Sequence, residues 1–208
     1  MVGVTDVVRA PQPGAENLTP VLRDRWSATV FDGSHELKGD DIEQLLRAAQ
    51  WAPSGGNTQP WAWFVLPRGS TGHGEFLKAL SDGNVPWVPS ASAVFVVAAQ
   101  VAADPDGQGR DRPMTAAFDC GLSMMSLITE ATARGLATHP LGGYNAGELA
   151  LALGVPEWFQ VMCAVAVGVR GDLASADEAM VEKDARTRER RDLDAFAFGD
   201  RFGEPYAI

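Results

Sequence analysis

The chain is poor in the residues that build metal centres and disulfide frameworks. It carries 2 cysteines and 3 histidines in 208 residues. Cys120 and Cys163 lie far apart, and no Cys-x-x-Cys or Cys/His ligand spacing occurs. The two thiols therefore read as small buried hydrophobes rather than as a scaffold. His35, His73 and His139 stand at no metal-ligand spacing from one another, so no metal site is expected. Positive charge is also scarce, with 17 Lys and Arg against 27 Asp and Glu and a net charge of −10. A surface this acidic is ill-suited to neutralising a phosphate backbone, which argues against nucleic-acid binding. No apolar run reaches the length of a membrane span; the longest, 91–103, is broken by Ser92 and Gln100. The N-terminus has Asp6 and Arg9, then Pro11, Pro13 and Gly14, and lacks the basic start and apolar stretch of a signal peptide. The expectation is a cytoplasmic protein of one domain, with residues 1–18 as a loosely held arm.

What the chain does have is concentrated between residues 52 and 61, Ala-Pro-Ser-Gly-Gly-Asn-Thr-Gln-Pro-Trp. A helical pattern ends before it and a strand-like run, 62–66, follows it. Glycine lets a backbone approach a flat ligand closely, and the Asn57 and Gln59 amides offer donors and acceptors. Loops of this kind between rigid elements are where sites are built, although the same residues also make an ordinary turn.

The rest of the chain supplies candidates for a frame and for ligand contacts. Asp40 with Glu43 forms a capping-box pattern, and Ile42, Leu45, Leu46 and Ala49 give a helical stripe over 41–51. Residues 67–74 read as turn and 75–80 as a short helix. The apolar run 93–99 reads as a strand covered on both faces, 104–113 as a mobile loop and candidate lid. Residues 115–134 read as a long helix apolar over more than one stripe. A strand-like start at 136 runs through His139 into a Gly142-Gly143 bend, whose bare amides suit a ligand acceptor. His139 has no assignable partner and reads as structural more readily than catalytic. Asn145 with Glu148 caps a short helix over 146–153, 161–169 is another strand, and 172–183 reads as a polar surface turn. Near the start, Arg25, Ser27 and Thr29 alternate onto one face of an extended segment, a set that suits an anion such as phosphate or plain surface decoration. Near the end, 4 of the 17 basic residues fall within 186–191, either a solvated charge run or an anion clamp. The tail carries Phe196, Phe198, Phe202 and Tyr206, which a partner subunit is the simplest candidate to cover.

Arg25-x-Ser27, the Pro-Ser-Gly-Gly-Asn-x-Gln-Pro-Trp loop and the late arginines followed by Asp192-Leu193 come in an order that closely resembles the FMN-dependent nitroreductase family. The segment 135–145 also resembles that family's second flavin loop, and the likeness runs from about residue 23 to 204. The resemblance implies an α+β, nitroreductase-like three-layer fold: a central, mainly antiparallel sheet flanked by helices. It implies an FMN-binding domain over 19–191 and an obligate homodimer whose C-terminal arm, 192–208, crosses to the partner in a domain swap, with FMN at the interface. By the same resemblance, Arg25, Trp26 and Ser27 match the phosphate-binding start, and Thr29 stands where the family usually has Arg or Lys. Arg188 and Arg190 match the late basic pair on the phosphate. Pro53, Ser54, Gly55 and Asn57 match the loop that edges the isoalloxazine ring. Thr138 and His139 match positions along the ring and ribityl chain, and Gly142 and Gly143 the backbone that donates to the flavin N5 side. The implied activity is ping-pong hydride transfer from NAD(P)H through FMN to an electron-poor small molecule, a nitroaromatic or a quinone, with no dedicated acid or base. A relative with dehalogenase-type or flavin-fragmenting chemistry, and a non-catalytic FMN-sequestering protein, are the readings left beside it.

Overall fold

In the computed structural model, residues 12–109 and 113–207 are described. The run of small and β-branched residues from 93 onward forms β2 (Ala93–Gln100), buried along almost its whole length. It pairs antiparallel with β1 (Trp61–Pro67) on one side and β4 (Phe159–Gly168) on the other, and β4 pairs antiparallel with β3 (Ala137–Leu141). The strand order is β1-β2-β4-β3. Successive side chains of β2 enter different cores, as a two-residue repeat requires. Val94 and Val96 join Phe76, Trp87 and Leu149 on one face. Phe95, Val97 and Ala99 join Leu45, Leu127 and Ile128 on the other.

The first of those faces is covered by α3 (Thr71–Ala79) and α5 (Ala146–Ala152), the second by α2 (Gly39–Gln50) and α4 (Pro113–Ala133). The result is the expected three-layer α+β arrangement of a sheet between helices. Two further helices, α1 (Pro20–Asp24) and α6 (Glu178–Ala185), bracket the chain. Along α4, Ala116, Cys120, Leu127, Ile128 and Ala131 are buried, while Met114, Phe118 and Met125 face outward. The helix thus keeps an apolar stripe that this chain alone leaves uncovered.

Several boundaries differ from expectation for identifiable reasons. At the start of α2 it is Asp41 that reaches back to the Lys38 N–H (3.4 Å), while Glu43 pairs with Arg47 one turn on (3.0 Å). Helix α3 begins at Thr71 because the Ser70 hydroxyl accepts the His73 N–H. The polar stretch expected to be only a turn contains α6, capped by Asp177, whose carboxylate accepts from Ala179 and Met180. Of the candidate lid, 104–109 is a turn closed by Asp104 onto the Asp106 and Gln108 amides, and 110–112 lies outside the described residues, as does most of the expected arm 1–18. The tail folds on itself: Phe198 pairs with Pro205, and its ring packs tilted against that of Phe202 with centroids 4.7 Å apart. Phe196, Phe202 and Tyr206 remain exposed in the single chain.

Candidate functional site

The segment after α1 runs along the open edge of β3. Ser27 bridges Thr138 in parallel, the Ala28 N–H donates to the Thr138 carbonyl (3.2 Å), and His139 Nδ1 donates to the Ala28 carbonyl (2.7 Å). A carbonyl only accepts, so Nδ1 carries the proton and Nε2 is left as an acceptor. The segment is anchored from behind by α6 and the chain after β4. Asp184, fully buried, accepts the Thr29 N–H (2.8 Å) and pairs with Arg170. Arg170 in turn lies over the Trp26 ring, 4.9 Å from its centroid.

Thr29 was expected to share the phosphate-binding face. In the structure it turns into the core, and its hydroxyl donates to the Met180 carbonyl (2.9 Å). The reason is Asp184, which draws the Thr29 backbone inward. Thr29 therefore offers no free donor to a ligand.

Arg25 does. It is half-buried, and among the described residues no carboxylate or carbonyl takes its guanidinium. Burial, and then the positive charges of Arg190 and Arg188, lower its pKa from the ordinary arginine value. Arg25 therefore lies near the late pair, although Arg188 and Arg190 follow it by 163 and 165 positions in sequence. Arg188 donates to the carbonyls of Arg186 (2.8 Å) and Ser27 (3.4 Å), and Arg190 to that of Glu189 (2.9 Å), so their partners are uncharged. Among the described residues these three like charges have no counter-ion, and in a protein with ten more acids than bases they make a site for an anion.

From this cluster the β3 edge leads to the Gly-Gly bend. Thr138 is buried and its hydroxyl has no partner among the described residues; the same holds for Trp26 Nε1. His139 stacks on Trp87 with ring centroids 4.1 Å apart. Burial is the main influence lowering its pKa, so the ring is neutral near pH 7. At the far end the Gly143 carbonyl accepts from the Ser81 N–H (2.9 Å), the Ser81 hydroxyl (2.7 Å) and the Asn84 amide (2.9 Å). A Cβ at Gly143 would lie 2.6 Å from Ser81 Oγ and closer still to Asn84 Nδ2, so a side chain here would displace the two groups that hold the carbonyl. The Gly142 carbonyl accepts the Tyr144 N–H (3.0 Å), which fixes the plane of the peptide that carries the Gly143 N–H, and among the described residues nothing accepts the N–H of Gly142 or Gly143. Ser81 and Asn84 were invisible as site residues in the sequence, where they looked like part of a turn around Asp82-Gly83. Thr138 to Gly142 spans roughly 13 Å at the rise of a strand.

The amide-rich loop lies elsewhere. Residues Gly55–Asn57 form a single 3-10 turn. The Ser54 carbonyl accepts the Asn57 N–H (2.9 Å) and the Ser54 hydroxyl the Gln59 N–H (3.0 Å). Gly56, Asn57 and Gln59 all have positive φ, at 61°, 54° and 46°. For the non-glycine pair this is a strained conformation, on the order of 1–3 kcal/mol each, held only where the surroundings over-determine it. Pro53, Gly55 and Asn57 are exposed and Ser54 half-exposed.

The strand registers show that this loop and the cation cluster do not meet within one chain. Trp61, at the loop's end, pairs with Ala99, and Ala99 pairs with Gln160; Thr138, beside Ser27, pairs with Val167. Gln160 and Val167 are about 23 Å apart along β4, and β1 and β3 are three strand spacings, about 14 Å, apart across the sheet. Loop and cation cluster occupy diagonally opposite corners, roughly 27 Å from each other, while the Gly142 end of the β3 edge lies roughly 17 Å from the loop. Arg25, Trp26, Ser27, Thr138, His139, Gly142, Gly143, Arg188 and Arg190 share one edge; Pro53, Ser54, Gly55 and Asn57 belong to another.

Comparison with known proteins fits this frame. Residues 22–169 match the model of the nitroreductase family. A protein of Archaeoglobus fulgidus named as an NADH dehydrogenase/NAD(P)H nitroreductase is 31% identical over 163 residues, covering 76% of this chain and 87% of its own. A Bacillus subtilis protein named as an NAD(P)H nitroreductase is 27% identical over 170 residues, covering 65% and 79%. A solved structure described as an oxidoreductase containing FMN superposes with a TM-score of 0.82 at 30% identity, over 90% of this chain and 93% of that one. The matched region takes in all four strands, the amide loop and the Gly-Gly bend, and on that ground the chain belongs to the nitroreductase family.

Proposed function

We propose that this protein is an FMN-dependent oxidoreductase that uses NAD(P)H to reduce an electron-poor small molecule of the nitroaromatic or quinone type, in a ping-pong cycle, and that it works as a homodimer. The observation that carries the reading is the uncompensated trio Arg25, Arg188 and Arg190 at one end of an edge that finishes in the unclaimed amides of Gly142 and Gly143. That edge fits a flavin mononucleotide: cations for a phosphate, the orphaned Thr138 hydroxyl along the middle, and a glycine backbone where a flat ring needs close approach.

FMN, when bound, supplies the hydride chemistry, taken from NAD(P)H and passed to the acceptor. The chain's own residues bind and orient. Arg25, Arg188 and Arg190, with Ser27, hold the phosphate. The Gly142–Gly143 bend, held through the Gly143 carbonyl by Ser81 and Asn84, would present its two free N–H groups toward the ring. His139 stays neutral and packs the floor through Trp87, so no side chain is assigned as an acid or base. The loop from Pro53 to Asn57 is too far from its own chain's cradle, and we assign it to the flavin edge of the partner subunit. The outward stripe of α4 and the exposed aromatics of the tail supply apolar area for a second copy to cover.

The test is spectroscopic. Purified protein, or apoprotein supplied with FMN, should show an oxidised-flavin spectrum that bleaches anaerobically with NADH or NADPH and returns on adding a nitroaromatic or a quinone. A protein that takes up no FMN refutes the cofactor assignment. A bound flavin that stays oxidised with both nucleotides refutes the enzymatic one and leaves the sequestering protein.

A further inference from the structure

The cradle and the loop are accounted for above, but one buried charge is not. Asp119 sits on α4, 3% exposed, and its Oδ2 accepts the Gly55 N–H at 3.0 Å. Gly55 is the first residue of the strained turn. The loop's backbone rests on the helix here: a Cβ at Gly55 would lie 3.2 Å from Thr115 Cγ2.

We infer that Asp119 is a positioning residue for the flavin-edge loop, acting through the Gly55 amide to hold Asn57 in its left-handed conformation and so present its side chain. This rests on the flavin reading above. The physical case has three parts. A turn with two non-glycine residues at positive φ relaxes unless it is held from outside. Ser54 ties the turn to itself, through the Asn57 and Gln59 amides, and cannot fix its place in the molecule. Asp119 ties it to the helix layer on one face of the sheet through a charge-assisted bond, which is stronger than a neutral one, from a long helix packed on that sheet. In the dimer the flavin that feels this contact is the partner subunit's, so α4 of one chain sets the ring edge of the other site.

The experiment compares Asp119→Leu, which removes the acceptor at similar volume, with Asp119→Asn, which keeps a carbonyl oxygen able to accept the Gly55 N–H. Hydrogen exchange at Gly55 and Asn57 is read on the apoproteins, and FMN affinity by fluorescence quenching. Asp119→Leu is expected to speed exchange at both amides and to weaken FMN roughly tenfold or more, the loss of one charge-assisted hydrogen bond. Asp119→Asn is expected to restore both to within about threefold, since an acceptor is kept. Wild-type exchange and affinity in Asp119→Leu would overturn the inference. So would an Asp119→Asn protein as impaired as Asp119→Leu, because charge rather than the bond would then matter. If even the wild-type chain binds no FMN, the flavin reading fails, and the exchange rates still report whether Asp119 pins the loop.

Discussion

Replacing Arg25 by methionine separates a ligand-binding arginine from a structural one by the signs of two effects. Methionine keeps an unbranched apolar stem and removes the charge. Arg25 has no counter-ion among the described residues and sits beside Arg188 and Arg190, so in the apoprotein its removal relieves repulsion. The melting temperature should stay level or rise. In the holoprotein the same change removes a charge-assisted contact worth about 1.5–3 kcal/mol, which is roughly 10- to 150-fold in FMN affinity. Titration against riboflavin, which lacks the phosphate, supplies the control: its affinity should change by less than about twofold. The loss for FMN should also shrink as salt is raised, because a cation cluster with Arg25 and Arg188 half-buried and Arg190 exposed is partly screened. An FMN affinity that does not move, or a riboflavin affinity that falls as far, would refute the placement of the phosphate at this cluster.

Subunit mixing tests the site assembled across two chains. Arg25→Met damages the cradle and Asn57→Ala the loop, so a heterodimer of the two contains one intact site. Random reassortment should return about a quarter of the wild-type high-affinity sites; no recovery would mean that loop and cradle serve the same chain. The buried pair of Arg170 and Asp184, 10% and 0% exposed at the side chain, makes a second prediction. Asp184→Ala takes a fully buried carboxylate away from Arg170 and the acceptor from the Thr29 amide and should cost about 3–5 kcal/mol in urea unfolding, whereas a loss below about 1 kcal/mol would make the pair irrelevant to stability. Stability should also depend on pH through His139 and His73, both lowered from the ordinary 6.5 chiefly by burial. Each stays neutral in the fold while the unfolded chain takes up a proton. The stability is thus complete above pH 6.5 and is lost as pH falls from there through the lowered folded values. His139→Gln should flatten the melting temperature against pH in that window; an unchanged slope would count against it.

The layered fold was legible because its signals are local. The unbroken apolar run 93–99 and the helical spacing of apolar residues on 115–134 are read without reference to distant residues. Helix α6 was not, since Glu178 to Ala185 has little apolar face and is held instead by Asp184, a polar anchor that hydropathy cannot reveal. Thr29 misled for the same reason: alternation with Arg25 and Ser27 places it on the ligand face unless Asp184, 155 residues later, is known to draw it inward. The arginine cluster and the amide loop were each visible as residue types. Their separation was not, because it follows from the register of β1 through β4, and sequence motifs carry no distances.

A binding site divided between opposite corners of a sheet makes its cofactor a cross-link. If FMN must touch both chains, the free energy that binds it is also free energy that holds the dimer, and by linkage each strengthens the other by the same factor. Dilution would then strip flavin and subunits together, excess flavin would protect the assembly against dissociation, and a lesion at either corner would be felt as a loss of quaternary structure.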